Sequence, residues 1–84
     1  MKILIGDIGN TITKLCIVDE KSKIINVYNI ETNKIIKEKK LMKLLKPVLR
    51  EDIKKKILFS SVVPKAYKKI NQFLKIKKYQ VYEI

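Results

Sequence analysis

Only two glycines occur in the chain, Gly6 and Gly9, and both fall in one segment, Ile5-Gly6-Asp7-Ile8-Gly9-Asn10-Thr11. The remaining turns must be built from Lys, Asn, Asp and Ser, so the freest backbone is concentrated at one point. Glycine lets a backbone approach a neighbour or a ligand closely, and reach φ > 0, without steric cost. An apolar run (Ile3, Leu4, Ile5) precedes the segment and a second, residues 15–18, follows it. The pattern predicts a strand, a tight polar turn carrying a carboxylate, and a second strand. Such a turn aims several backbone N–H groups and the Asp7 oxygens at one small volume, which suits a phosphate and its metal ion.

At 84 residues the chain has room for one small domain. A domain of this size buries about 60–65% of the surface that its unfolded chain exposes. Its 46% hydrophobic content supports a core. No apolar stretch approaches the ~20 residues of a membrane-spanning helix, and the N-terminus lacks a signal-peptide pattern. Cys16 has no second cysteine to pair with, so the expected compartment is a reducing cytoplasm. A net charge of +12 raises the possibility of a nucleic-acid partner, because clustered cations release counterions from a polyanion. Yet Arg50 is the single arginine among 20 basic residues, and arginine is the side chain that reads guanine edges and phosphates bidentately. The lysines are also spread along the whole sequence. The expectation is salt-sensitive, non-specific binding and no specific nucleic-acid partner.

Residues 2–6, 11–18 and 23–30 read as three strands, with Asp19-Glu20-Lys21-Ser22 as turn chemistry between the last two. Their short connections predict an antiparallel meander. Thr32 or Asn33 can cap a helix over residues 33–46, whose apolar face comprises Leu41, Met42, Leu44, Leu45 and Val48. Ile35 and Ile36 join that face across a lysine-rich gap, and Pro47 ends or kinks the helix. Residues 56–63 read as a fourth strand. Pro64 opens a second helix with Tyr67, Ile70, Phe73 and Leu74 as its stripe, and residues 79–84 make a fifth strand. The order β-β-β-α-β-α-β predicts an α/β fold, a mixed five-stranded sheet with helices on its faces.

The chain contains no histidine, which removes Ser-His-Asp and Cys-His catalysis and any imidazole metal site. Cys16 on a strand reads as a small packing residue. A G-x-x-x-x-G-K-[ST] loop is absent. Of eight carboxylates, Asp19, Glu20, Glu51 and Asp52 lie in expected turns, Glu31 and Glu38 border the first helix, and Glu83 is near the end. Asp7 alone sits between glycine and an apolar residue at a strand tip. Two readings of it stay open: a ligand for a phosphate-bound metal, or a turn aspartate bonded to its own backbone. Asn10, Thr11, Thr13 and Lys14 add amide, hydroxyl and ammonium donors beside it. Lys14 is equally a surface lysine, and Thr13 equally a β-former. Ser60 and Ser61 end a strand where ligands bind in open α/β sheets; for Ser61 the competing role is N-cap of the Pro64 helix.

Asp7-Ile8-Gly9-Asn10-Thr11 resembles the D-x-G-N-T phosphate motif of type III pantothenate kinases, and Ser60-Ser61-Val62-Val63-Pro64 resembles their S-S-V-V-P segment. The resemblance implies residues 1–84 to be a single N-terminal ATPase-like domain, the ribonuclease-H-like (actin-like ATPase) half of a two-domain kinase. It implies ATP-dependent phosphorylation of pantothenate, the first step of coenzyme A biosynthesis. The implied cofactors are ATP with Mg2+ and a monovalent cation, K+ or NH4+. The implied state is a cytoplasmic homodimer in the full-length form. By motif position Asp7 would hold the metal and phosphates, and Gly9, Asn10 and Thr11 would line the phosphate turn. Lys14 is the added candidate for a phosphate contact. The family's later G-x-D-R and D-x-G-T segments have no counterpart in these residues, so the 84 residues alone are expected to be inactive. The alternatives are a non-catalytic actin-like or regulatory relative, and a basic nucleic-acid-binding domain.

Overall fold

Strand pairing follows the short connections and then departs from them. In the computed structural model, which describes residues 1–84, β1 (Ile3–Ile8), β2 (Ile12–Val18) and β3 (Ile24–Glu31) form the expected antiparallel meander. β4 (Lys56–Ser61) crosses over to pair in parallel with the other edge of β1, and β5 (Gln80–Glu83) lies parallel beside β4. The sheet order is β3-β2-β1-β4-β5. β1 is thus the central strand, and its C-terminal end opens between one antiparallel and one parallel neighbour.

Registration sorts the side chains onto two different faces. Leu4, Ile8, Leu15, Ile17, Ile57 and Phe59 share one face and are all buried. Gly6 lies among them opposite Phe59. A Cβ at Gly6 would stand 2.1 Å from the Phe59 ring. Gly6 is therefore a packing glycine, needed so that the ring can lie across β1. The Phe59 ring meets Tyr67 edge-on at a centroid separation of 6.3 Å.

Three helices cover this face. α1 (Thr32–Lys37) contributes Ile35, α2 (Met42–Leu49) contributes Leu45 and Val48, and α3 (Pro64–Ile76) contributes Ala66, Ile70 and Leu74 to one core of 14 buried residues. The expected single helix over residues 33–46 is thus two helices, and the order is β-β-β-α-α-β-α-β. Glu38 is extended (φ −69°, ψ 126°). The charged run 37–40 offers no apolar side chain to hold a continuous helix on the sheet, and the break lets Ile35 and Leu45 reach the core independently. Lys69 of α3 closes the C-terminus of α1, donating to the carbonyls of Ile36 (2.9 Å) and Glu38. Neither Thr32 nor Asn33 caps α1: the N-cap is Glu31, without a side-chain bond. Pro47 lies inside α2, which runs two residues beyond it. Both Pro47 and Lys43, whose carbonyl the proline leaves without a donor, are exposed, so water can satisfy that carbonyl.

The opposite face carries no helix, in contrast to the expectation of helices on both. Register aligns Tyr82, Leu58, Ile5, Cys16 and Val27 in a row across all five strands of this open face. Leu58, Val27 and Tyr82 are 38%, 39% and 48% exposed. The strands carry only two basic residues, Lys14 and Lys56; the rest lie on helices and loops. Cationic charge that looks evenly spread in sequence is therefore nearly absent from the sheet itself. No helix is long and apolar enough to cross a membrane.

Candidate phosphate-binding turn

β1 runs through Gly6 and Asp7 to Ile8, so Asp7 sits in the last turn-proximal part of the strand rather than in the turn itself. Strand alternation puts Gly6 and Ile8 toward the helices and Asp7 on the open face, where it is exposed. Cross-strand register sets Lys14 of β2 on one side of Asp7 and Ser60 of β4 on the other, with Asn29 of β3 beyond Lys14. Asp7 and Lys14 do not form an ion pair; the chain's two ion pairs are Met1–Glu20 and Lys2–Glu51. Asp7 makes no bond to its own turn. That local role belongs to Asp19, whose Oδ1 accepts from the amides of Lys21 and Lys23, both at 2.9 Å.

The turn between β1 and β2 spans Gly9, Asn10 and Thr11. The Gly9 amide donates to the Ile12 carbonyl at 3.0 Å. Neither glycine has positive φ. Gly9 is required for closeness instead: a Cβ there would stand 2.9 Å from the Ile12 carbonyl oxygen, which is backbone and cannot swing aside. Asn10 and Thr11 are exposed, and no backbone carbonyl accepts from either amide.

From below, the turn is held by Thr32. Its hydroxyl donates to the Gly9 carbonyl at 2.7 Å and its amide donates to the Thr11 carbonyl at 2.9 Å. Thr13 Oγ1 lies 2.9 Å from Thr32 Oγ1. Thr13 and Thr32 are 0% and 1% exposed, the only buried polar side chains of the chain. Burial removes Thr13 from any direct contact with a ligand. Its place was partly legible: Thr13 alternates in phase with Leu15 and Ile17, so its hydroxyl had to find a partner inside. Nothing local marks Thr32 as that partner.

A hollow of about 410 Å³ beside the turn is lined by Asn10, Thr11, Ile12, Glu31, Asn33 and Ile36. A larger one of about 810 Å³ shares Glu31 and Asn33 with it and is lined by five lysines of the α1–α2 segment. Ser60 lies on the open face level with Asp7, while Ser61 turns inward. Ser61 is not the helix cap: the N-cap of α3 is Val63, and Ser61 Oγ accepts from the Val63 amide (3.0 Å) and donates to its carbonyl (3.1 Å), shaping the bend before Pro64. No three carboxylate, cysteine or histidine groups converge on a metal position. The chain therefore builds no metal cage. A lone carboxylate at Asp7 fits the other mode of Mg2+ binding, in which the ion retains waters and arrives with phosphates.

The opposite end of the sheet holds a separate polar cluster. Glu51, after α2, accepts from Tyr28 (2.7 Å), Asn26 (3.2 Å) and Lys2 (3.2 Å), tying β3, β1 and the end of α2 together. The Tyr28 hydrogen bond, helped by Lys2 and Asn26, holds the Glu51 carboxyl below its usual range, and the same bond pushes the Tyr28 hydroxyl up.

Comparison with known proteins converges on one family. The family model described as type III pantothenate kinase matches residues 3–83. A type III pantothenate kinase of Pelagibacter ubique is 40% identical over 82 residues, covering 98% of this chain and 32% of that protein. The chain therefore spans about a third of the length of that curated relative. With nearly every residue inside the family match, the chain belongs to the type III pantothenate kinase family.

Proposed function

We propose that this chain supplies the phosphate-binding side of an ATP-dependent pantothenate kinase, with Asp7, Gly9, Asn10, Thr11 and Lys14 as its ligand-facing residues. The observation that carries this reading is the β1–β2 turn. Its Gly9 and Thr11 carbonyls are held inward by Thr32, its Asn10 and Thr11 amides lack backbone partners, and an aspartate with no ion pair stands beside it. Turn amides left without a partner are suited to phosphate oxygens. In this reading Asp7 holds the Mg2+ carried by the ATP phosphates, which neutralises their charge. Lys14, one strand over in register, is placed to approach the same phosphates. The sheet, with its antiparallel meander and two parallel crossovers, supports a ribonuclease-H-like (actin-like ATPase) half.

The same reading carries a monovalent cation, a cytoplasmic location and a homodimer of the full-length form; none of this chain's residues is assigned to the cation or the dimer. As residues 1–84 of a two-domain kinase, the chain would contribute one wall of the cleft. A general base is worth roughly 10²–10⁴ in rate. The exposed turn carboxylates and the Glu51 cluster are remote from Asp7 by element, so none of them is assigned that role. The 84 residues alone are expected to show no pantothenate-dependent turnover.

A coupled ADP-release assay with ATP, magnesium, potassium and pantothenate tests this in two forms. The 84-residue chain is assayed alone, and also after replacing the matched segment of the Pelagibacter ubique enzyme. We expect turnover only from the chimera, and its abolition by Asp7→Asn, which keeps the side-chain size and removes the anion. Near-normal kcat in the Asp7→Asn chimera would contradict the role given to Asp7. Pantothenate-dependent turnover by the 84 residues alone would contradict the half-site reading.

A further inference from the structure

We infer that Thr13 and Thr32 are positioning residues of the phosphate turn, forming a buried hydroxyl relay that fixes the direction of the Asn10 amide. The inference rests on the reading of the turn given above. It concerns residues that touch no ligand.

The direction of the relay follows from the proton count. A threonine hydroxyl has one proton. That of Thr32 goes to the Gly9 carbonyl at 2.7 Å, so Thr32 Oγ1 must accept at its 2.9 Å contact with Thr13, and Thr13 donates. The chain of bonds runs Thr13 O–H to Thr32 O–H to Gly9 C=O. Each donor polarises the next, so the two bonds reinforce one another in the low-dielectric interior.

The consequence for the turn follows from peptide geometry. All peptide bonds are trans, and in a trans peptide the carbonyl of one residue and the N–H of the next point in opposite directions. Holding the Gly9 carbonyl toward buried Thr32 therefore turns the Asn10 N–H away from the interior. The Thr32 amide holds the Thr11 carbonyl in the same way at 2.9 Å. One residue, at the first position of α1 and 23 residues away from Gly9, thus fixes two peptide planes of a three-residue turn. These are the only buried polar side chains in the molecule, and both serve this turn. A fold needing only burial at these positions would be served by valine, which has the same shape.

The test uses amide-resolved NMR of the 84-residue chain, first without ligand and then titrated with Mg·ATP. In Thr32→Val, the Asn10 and Thr11 amide signals should move and exchange at the hydrogen-bonded Gly9 amide should speed by at least about tenfold, while Leu4, Leu15 and Phe59 keep their shifts. Thr32→Ser keeps the hydroxyl and should reproduce the wild-type turn. Thr13→Val removes only the outer donor and should move the same signals in the same direction by less. The initial slope of the Mg·ATP response should fall about tenfold or more in Thr32→Val and recover in Thr32→Ser, because a misaimed donor loses its electrostatic benefit. Should Thr32→Val fail to fold, Thr13→Val decides: turn signals that stay in place overturn the relay. A turn that responds equally to Mg·ATP in wild type and Thr32→Val also overturns it, and leaves the phosphate-turn reading standing. A wild-type turn that ignores Mg·ATP overturns both.

Discussion

The two hairpin turns of the meander solve the same geometric problem in opposite ways. Between β2 and β3, the chain satisfies its own groups: the Asp19 carboxylate takes the Lys21 and Lys23 amides, the Asp19 amide donates to the Lys23 carbonyl, and the Ser22 amide donates to the Asp19 carbonyl. Four local bonds leave little for a ligand. Between β1 and β2, a single local bond joins the Gly9 amide to the Ile12 carbonyl, and the other donors come from Thr32, far along the chain, and bind carbonyls only. The amides of Asn10 and Thr11 are left for something else. A turn that closes on itself is a connector. A turn tied from beneath, with its donors outward, is built like an anion site.

Backbone demands differ in the same way. Ser22 adopts φ 63°, where glycine would be at ease, and Gly9 has negative φ but no room for a Cβ. Exchanging glycine and side chain should therefore have opposite signs in the two turns. Gly9→Ala should have the largest effect, destabilising by about 2 kcal/mol, within the range for overpacking against backbone. It should also shift the Asn10 and Thr11 amides, as read by urea denaturation and amide NMR. If Gly9→Ala leaves stability and the turn signals unchanged, the close approach of Gly9 to the Ile12 carbonyl does not exist. Asp19→Ala should cost about 1 kcal/mol, comparable to losing a side-chain cap, and leave the Asn10 and Thr11 signals in place. Movement of those signals would show that the turns are coupled. Ser22→Gly should stabilise by roughly 0.5 kcal/mol through relief of the left-handed backbone. A loss of stability there would reverse the contrast.

Acid should separate the two ends of the sheet, with the smallest effect because the Glu51 cluster is partly open to water. The folded Glu51 carboxyl lies below its usual range, so its contribution is present above the unfolded value near ~4.3 and is lost as pH falls through the lower folded value. The hydroxyl ties of Thr13 and Thr32 do not titrate in this range. Urea midpoints measured from pH 6 downward should fall less steeply in Glu51→Gln than in wild type, and exchange protection should be lost first at Asn26 and Tyr28. An identical acid slope in both proteins would remove Glu51 from the account.

What was legible in the sequence follows from how local each determinant is. Residues 11–18 and 23–30 are rich in β-formers and are joined by their own turn chemistry, and β2 and β3 lie where the pattern puts them. The stripe of Tyr67, Ile70, Phe73 and Leu74 correctly announced α3. The α1–α2 break was not legible, because Leu41, Leu45 and Val48 continue a helical period across it; tertiary packing of Ile35 and the Lys69 cap decide it. Gly6 and Gly9 look like one flexible unit in the sequence, yet one makes room for the Phe59 ring and the other for the Ile12 carbonyl. The sequence offers Thr32 or Asn33 as a helix cap, and neither caps α1. The Thr32 hydroxyl instead reaches Gly9, a contact that no local pattern encodes.

The central claim is that the β1–β2 turn, with Asp7, is the chain's phosphate site and that the lysine-rich helical side is not. Titrating the labelled 84-residue chain with Mg·ATP at ~0.15 M ionic strength, where exposed charges act over only about 8 Å, tests it directly. The account predicts saturable shifts at Asn10 and Thr11, none at Lys21 and Lys23, and a response lost in Asp7→Asn. Shifts that spread over the α1, α2 and α3 lysines, fade with added salt and survive Asp7→Asn would contradict it.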